Sequence, residues 1–239
     1  MNLGPTEIHS LIAQLQPVRD RAVDNKMAMI GLYSFVNPEH DARITAFSKF
    51  VNVLNSAQLA FAFISKHLLH KEWWDAVART SIPDADKQIY ANEFANFTKL
   101  GIVHALFSAI ESSLRIFLRA LDPIACNAGM AEFKAIYDCL FMSKLNTVPP
   151  GGTTLLDLLR NVRNTIHNNG VYFNPRGTGV RLTWGKDTYD FRQGVPVDFV
   201  TWEFLIAVSD SLRELLLNVV QDRNLRNITV EIDDPFSHR

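Results

Sequence analysis

Cysteine is scarce: Cys126 and Cys139 are the only two in a chain of 239 residues. Two thiols cannot build a disulfide framework or, by themselves, a zinc cluster, so both are expected as buried thiols in a reducing compartment. Neither sign of charge prevails, since 24 Lys and Arg meet 25 Asp and Glu for a formal net charge of -1. A histone-like polycation is thereby excluded, and any contact with nucleic acid has to come from a local patch. No window holds the roughly 18 consecutive apolar residues of a membrane helix. The start, Met1-Asn2-Leu3-Gly4-Pro5-Thr6-Glu7, has no basic segment ahead of an apolar run. A soluble, cytoplasmic protein with no membrane partner is expected. Walker, GxGxxG, HExxH and GxSxG motifs are missing, so the common nucleotide-dependent and hydrolase classes lose support. Neither a cofactor nor a metal is expected, because His67, His70 and Glu72 lack the further His or Cys of a recognisable ligand set.

Apolar material, by contrast, is plentiful. With 47% hydrophobic and 10% aromatic residues the chain can build a sizeable core, and its length favours one elaborated domain over two of about 150 residues each. Apolar positions recur at helical spacing in Ile8, Leu11, Ile12 and Leu15, then in Ile44, Phe47, Val51, Leu54, Phe61, Ile64 and Leu68. Pro17 is expected to kink or restart the first helix, and Asp41 to cap a second that runs to about Leu69. A long helix from about Asp86 to Leu121 should stop at Asp122-Pro123, and another should cover about Met130 to Leu145.

Pro149-Pro150-Gly151-Gly152 is the sharpest break in the sequence, and Thr153 or Thr154 is suited to cap the helix that follows. That helix should end at Asn168-Asn169-Gly170. From Gly170 to Gly194 the period changes to two, with Val171, Phe173, Val180, Leu182, Trp184, Tyr189 and Phe191 at alternate positions, as in a hairpin or three-strand meander. A final helix from about Asp198 to Arg223 precedes Leu225 to Ile232, a short strand or an extended tail. The expected fold is all-α, an antiparallel helical bundle with a small β insertion at about 170–194. Residues 1–80 form an N-terminal helical extension packed on the main domain, residues 81–239.

The helix after the double glycine is the one with chemistry on its face. Advancing about 100° per residue from Arg160 places Leu155, Leu158, Leu159, Val162 and Ile166 in one apolar stripe. Arg163, Asn164 and His167 share the opposite face with Arg160. Guanidinium forks fit phosphate oxygens and stay charged, while imidazole can move protons near neutral pH. The set therefore suits phosphodiester chemistry, although a solvated face of ordinary charged residues has the same spacing.

The run Leu159-Arg160-Asn161-Val162-Arg163-Asn164-Thr165-Ile166-His167 resembles the signature of the HEPN superfamily, an Arg followed by a polar residue and, a few positions on, a His. The wider order of a helical bundle, a late signature helix, a short β insertion and a closing helix is similar to that family over about Asp86 to Asp222. The resemblance implies a metal-independent endoribonuclease that works as a homodimer, in a defence or toxin-like setting with a cognate antitoxin or regulatory protein. It makes Arg160 the signature Arg, Asn161 its polar neighbour and His167 the signature His. An alternative frame starts from Arg163 and Asn164. The other implied reading is a non-catalytic module that dimerises and binds RNA, a nucleotide or a protein.

On the preceding long helix His104, Ser108, Glu111 and Arg115 form one polar stripe. The resemblance suggests Glu111 as an acidic partner that bonds to Arg160 or His167, while the plain alternative is an i,i+4 pair with Arg115. Arg176, Arg181, Lys186 and Arg192 in and around the β insertion extend the basic patch and are candidate RNA-backbone contacts. Tyr172, Phe173, Trp184 and Tyr189 are available there for base stacking.

Overall fold

A computed structural model describes residues 4–78, 80–125 and 132–237. The chain is mostly helical with one small two-stranded antiparallel sheet. Helix α1 spans Pro5–Leu32 and α2 spans Ala42–Phe63, which ends in a π-helical turn, Ile64–Leu68. Then come α3 (Lys71–Val77), α4 (Asp84–Leu121) and α5 (Phe133–Cys139), the last running into a second π-helical turn, Leu140–Lys144. After α6 (Gly152–Ile166) the strands β1 (Val180–Trp184) and β2 (Asp187–Phe191) lead to α7 (Trp202–Val220) and the single turn α8 (Arg223–Arg226).

One hydrophobic core runs from Ile8 to Ile232 and draws on every long helix. The central element is α4, which packs against α2, α5, α6 and α7. By length and composition α4 could also cross a membrane. Its buried side chains, among them Val103, Leu106, Ile110, Leu114, Phe117 and Leu118, supply much of the core. Cys139 is half-buried and has no disulfide partner among the described residues; Cys126 and Met130 lie outside them.

Several boundaries differ from the sequence expectation. Helix α1 passes through Pro17 without interruption. Pro17 and Ala13, whose carbonyl loses its partner there, are both exposed, so water can take the freed acceptor. Neither Thr153 nor Thr154 caps α6: the N-cap is Gly151, in the left-handed region at φ 66°, and no side chain bonds the first turn. The next residue is constrained for a different reason. A Cβ on Gly152 would stand 2.8 Å from Leu215 Cδ1 and 3.2 Å from Phe141 Cε2. Gly152→Ala is therefore expected to lower stability by about 1–3 kcal/mol through overpacking between α6 and α7, read by thermal unfolding; an unchanged midpoint would show that Leu215 moves aside freely.

The β insertion is a hairpin and not a meander. Val180 pairs with Phe191, Leu182 with Tyr189 and Trp184 with Asp187, around a tight turn at Gly185-Lys186 in which Gly185 has φ 64°. Tyr189 and Phe191 pack on Phe199 with ring centroids 5.0 and 5.2 Å apart, and Trp184 and Tyr189 meet Phe204, which fastens the hairpin to the start of α7. Val171 makes only an isolated bridge to Pro196.

The segment after α7 is neither strand nor free tail. It forms α8 and then straps back over the N-terminus of α2. Arg43, fully buried, donates to the carbonyls of Leu225, Ile228 and Val230 and to both oxygens of buried Asp41. Asp41 also caps α2 by accepting from Arg43 N, and accepts from Ile232 N. Further along the strap, Asp234 accepts from Thr45 Oγ1 at 2.6 Å and pairs with Lys49 Nζ at 2.7 Å. Burial alone would raise the Asp234 pKa, but the Lys49 and Thr45 bonds outweigh it and hold it below the ordinary carboxylate value. A carboxylate depressed by folding adds stability above its unfolded pKa of about 4 and loses it as pH falls through the lower folded value. Asp234→Asn should thus be less stable than wild type by about 1–3 kcal/mol at pH 7. The gap should close on acidification; a gap that is constant down to pH 2 would contradict the assignment.

Candidate phosphate-binding cleft

The apolar stripe of α6 is buried as its spacing demands: Leu155, Leu158, Leu159 and Val162 are all core residues. That fixes which way Arg160, Arg163 and Asn164 point. They line a cleft of about 780 Å³ whose other walls are Phe107, Glu111 and Arg115 from α4, Glu132, Phe133 and Lys134 at the start of α5, and Asn174, Pro175, Arg176 and Val180 before and within β1. The volume lies within the range of roughly 300–1,000 Å³ common for ligand sites. Five of the lining side chains are cationic and two are carboxylates, so an otherwise neutral chain concentrates positive charge at this place.

The two central guanidiniums are held from behind and left open in front. Arg160 Nη2 donates to Asp157 Oδ1 at 3.2 Å, and the Tyr137 hydroxyl donates to the same oxygen at 2.6 Å. Lys134 Nζ stands 3.6 Å from Asp157 Oδ2. Burial opposes the charge on Arg160, but Tyr137 and Asp157 more than compensate and raise its pKa further; burial, reinforced by Asp157, pushes the Tyr137 phenol well above its usual range. Arg163 lies with its Cζ 5.2 Å from the centre of the Phe107 ring, a cation–π contact, and its Nη1 reaches Asn164 Oδ1 at 3.4 Å. Arg160 Nε and Arg163 Nε are both buried and have no acceptor among the described residues. Both side chains line the cleft, so an anion seated there meets their charge.

No family model, curated protein or solved structure matches this chain. Its site is read from its own chemistry.

The sequence candidates other than Asn161 divide into three groups. Arg160, Arg163, Asn164, Glu111 and Arg176 come together in the cleft. His167 follows on the same helical stripe but is the C-cap of α6, exposed, and outside the cleft lining. Arg181, Lys186 and Arg192 are exposed on the hairpin away from it, with Arg181 and Arg192 sharing Asp190 at 3.5 and 4.0 Å. Two candidates are bonded otherwise than the resemblance suggested. Asn161 is buried, donating Nδ2 to the Asp157 carbonyl and accepting from the Tyr172 hydroxyl, so it holds the loop after α6 and does not face the cleft. Glu111 is bonded by Arg115 at 2.6 Å on its own helix in place of the expected bond to Arg160 or His167.

Asp157 was missed, along with Lys134 and Phe107. Asp157 had a signal, since an acidic residue three positions before Arg160 shares its helical face. Lys134 and Phe107 reach the cleft only through the packing of α4 and α5 on α6, which no local spacing encodes.

Proposed function

We propose that this protein is a metal-independent endoribonuclease of the HEPN type. In this reading it acts as a homodimer in a defence or toxin-like role, under the control of a cognate antitoxin or regulatory protein. One observation carries the reading: Arg160 and Arg163, one helical turn apart on α6, both line a cleft in which cations outnumber carboxylates. A phosphodiester supplies paired oxygens in the planar geometry a guanidinium fork takes. The helical frame with its hairpin after α6 is in keeping with the antiparallel HEPN bundle.

In the reaction the 2′-oxygen of a ribose bonds to the adjacent phosphorus while the P–O5′ bond breaks, giving a 2′,3′-cyclic phosphate and a 5′-hydroxyl. The 2′-hydroxyl proton leaves to a base, and a proton is delivered to the departing 5′-oxygen. Arg160 and Arg163 stabilise the charge that gathers on the phosphorane oxygens, and His167 is the proton-transfer group. His167 stands one turn beyond Arg163 at the outer end of the stripe, so it serves RNA that spans two protomers. Arg176 holds the strand at the wall of the cleft, and the hairpin cations Arg181, Lys186 and Arg192 track it beyond.

The non-catalytic reading, a module that dimerises and binds RNA, has a specific observation in its favour: the imidazole is not among the groups that wall the cleft. Cleavage of bulk RNA in EDTA separates the two. Cleavage by wild type that disappears in both His167→Ala and Arg160→Ala supports the enzyme. Activity unchanged in both variants removes it, and RNA binding without cleavage by the folded wild type selects the module.

A further inference from the structure

We propose that Phe173 is a base-stacking platform at the rim of the cleft and that the cleft accepts RNA as a single strand, an inference that rests on the RNA reading above. Phe173 is 53% exposed and immediately precedes Asn174, Pro175 and Arg176, which wall the cleft. Of the four aromatic residues in this region suited to stacking, the other three are occupied. Tyr172 is buried with its hydroxyl on Asn161, while Trp184 and Tyr189 pack into the Phe199 and Phe204 cluster.

The backbone on both sides of Phe173 is fixed. Tyr172 N donates to Val195 O at 3.1 Å and Tyr172 O accepts from Gly194 N at 2.8 Å. Asn174 N donates to Gln193 Oε1 at 2.8 Å, and Asn174 Oδ1 accepts from Arg176 N at 3.0 Å. A ring carried on so constrained a segment loses little freedom when a base lies on it, which leaves more of the stacking energy for binding. An exposed phenylalanine alone means nothing. Here it adjoins a concentration of guanidiniums, the pairing of backbone charge and stacking surface by which single strands are held. Bases inside an A-form duplex are already stacked and paired, so only an unpaired strand can present a face to Phe173 while its phosphates meet Arg160 and Arg163.

The test uses a fluorescent 12-nucleotide RNA with 2′-O-methyl riboses, which lacks the hydroxyl nucleophile and stays intact, a blunt duplex of the same sequence, and inorganic tripolyphosphate as a probe of charge alone. Phe173→Ala should weaken single-strand binding by roughly 5- to 150-fold, the range for loss of one base–aromatic stack. Phe173→Trp should restore it, and tripolyphosphate affinity and the salt dependence of RNA binding should not change. Equal single-strand affinity in wild type and Phe173→Ala, or a duplex bound as well as the single strand, overturns this inference while leaving the cationic cleft in place. Failure of wild type to bind either RNA or tripolyphosphate overturns the functional reading itself, and with it this one.

Discussion

Replacing Arg43 with methionine should lower the unfolding free energy by about 3–5 kcal/mol, seen as an earlier urea midpoint with an unchanged slope. The side chain is fully buried and bonds Asp41 through Nε at 2.9 Å and Nη2 at 2.6 Å. It also satisfies the carbonyls of Leu225, Ile228 and Val230 at 3.3, 2.7 and 2.9 Å, and its Cζ sits 4.1 Å from the centre of the Tyr33 ring. Methionine fills much of the space but leaves a buried carboxylate and three carbonyl oxygens without their donor. The double variant Asp41→Asn, Arg43→Met removes the stranded charge and should recover part of the loss. A single variant within 0.5 kcal/mol of wild type would mean that the strap contributes almost nothing to the fold.

For the proposed reaction, Arg160→Ala should reduce kcat/KM on a short RNA in EDTA by about 100- to 1,000-fold, the scale for removal of one donor to a developing oxyanion. Arg160→Lys should recover little of it, because an ammonium cannot take the place of a planar fork that bonds Asp157 at the back and a phosphate at the front. Asp157→Asn separates positioning from charge. It keeps an acceptor for the Tyr137 hydroxyl but loosens its hold on Arg160, so a smaller loss of about tenfold is expected, mainly in kcat. Both Arg160 variants should melt within a few degrees of wild type, since Arg160 lies at the surface of the cleft. A fully active Arg160→Ala would transfer the role to Arg163 or end the ribonuclease proposal.

What the sequence made legible follows from the range of each interaction. The burial of Leu155, Leu158, Leu159 and Val162 on α6, the hairpin ending at Phe191 and the stop of α6 shortly before Asn169, which has φ 53°, are all written in residues a few positions apart. So was the gathering of Arg160, Arg163 and Asn164, because one amphipathic helix decides it. The π-helical turns at Ile64–Leu68 and Leu140–Lys144 carry no comparable local mark. Asn161 entered only through a signature read as a string, which does not say which face each letter occupies; the helix turns it toward Tyr172. The Arg43 site was invisible for a simpler reason: its carbonyl partners lie 182 to 187 positions away.

That separation matters during synthesis. Arg43 leaves the ribosome when the peptide groups that will surround it have not yet been made, and a cation cannot be sealed in an apolar interior without them. Arg43 can therefore take its buried place only once residues 225–230 have been made. By then α6 and both strands have been translated, so the Arg43 site closes only after every residue of the arginine-lined hollow has been made.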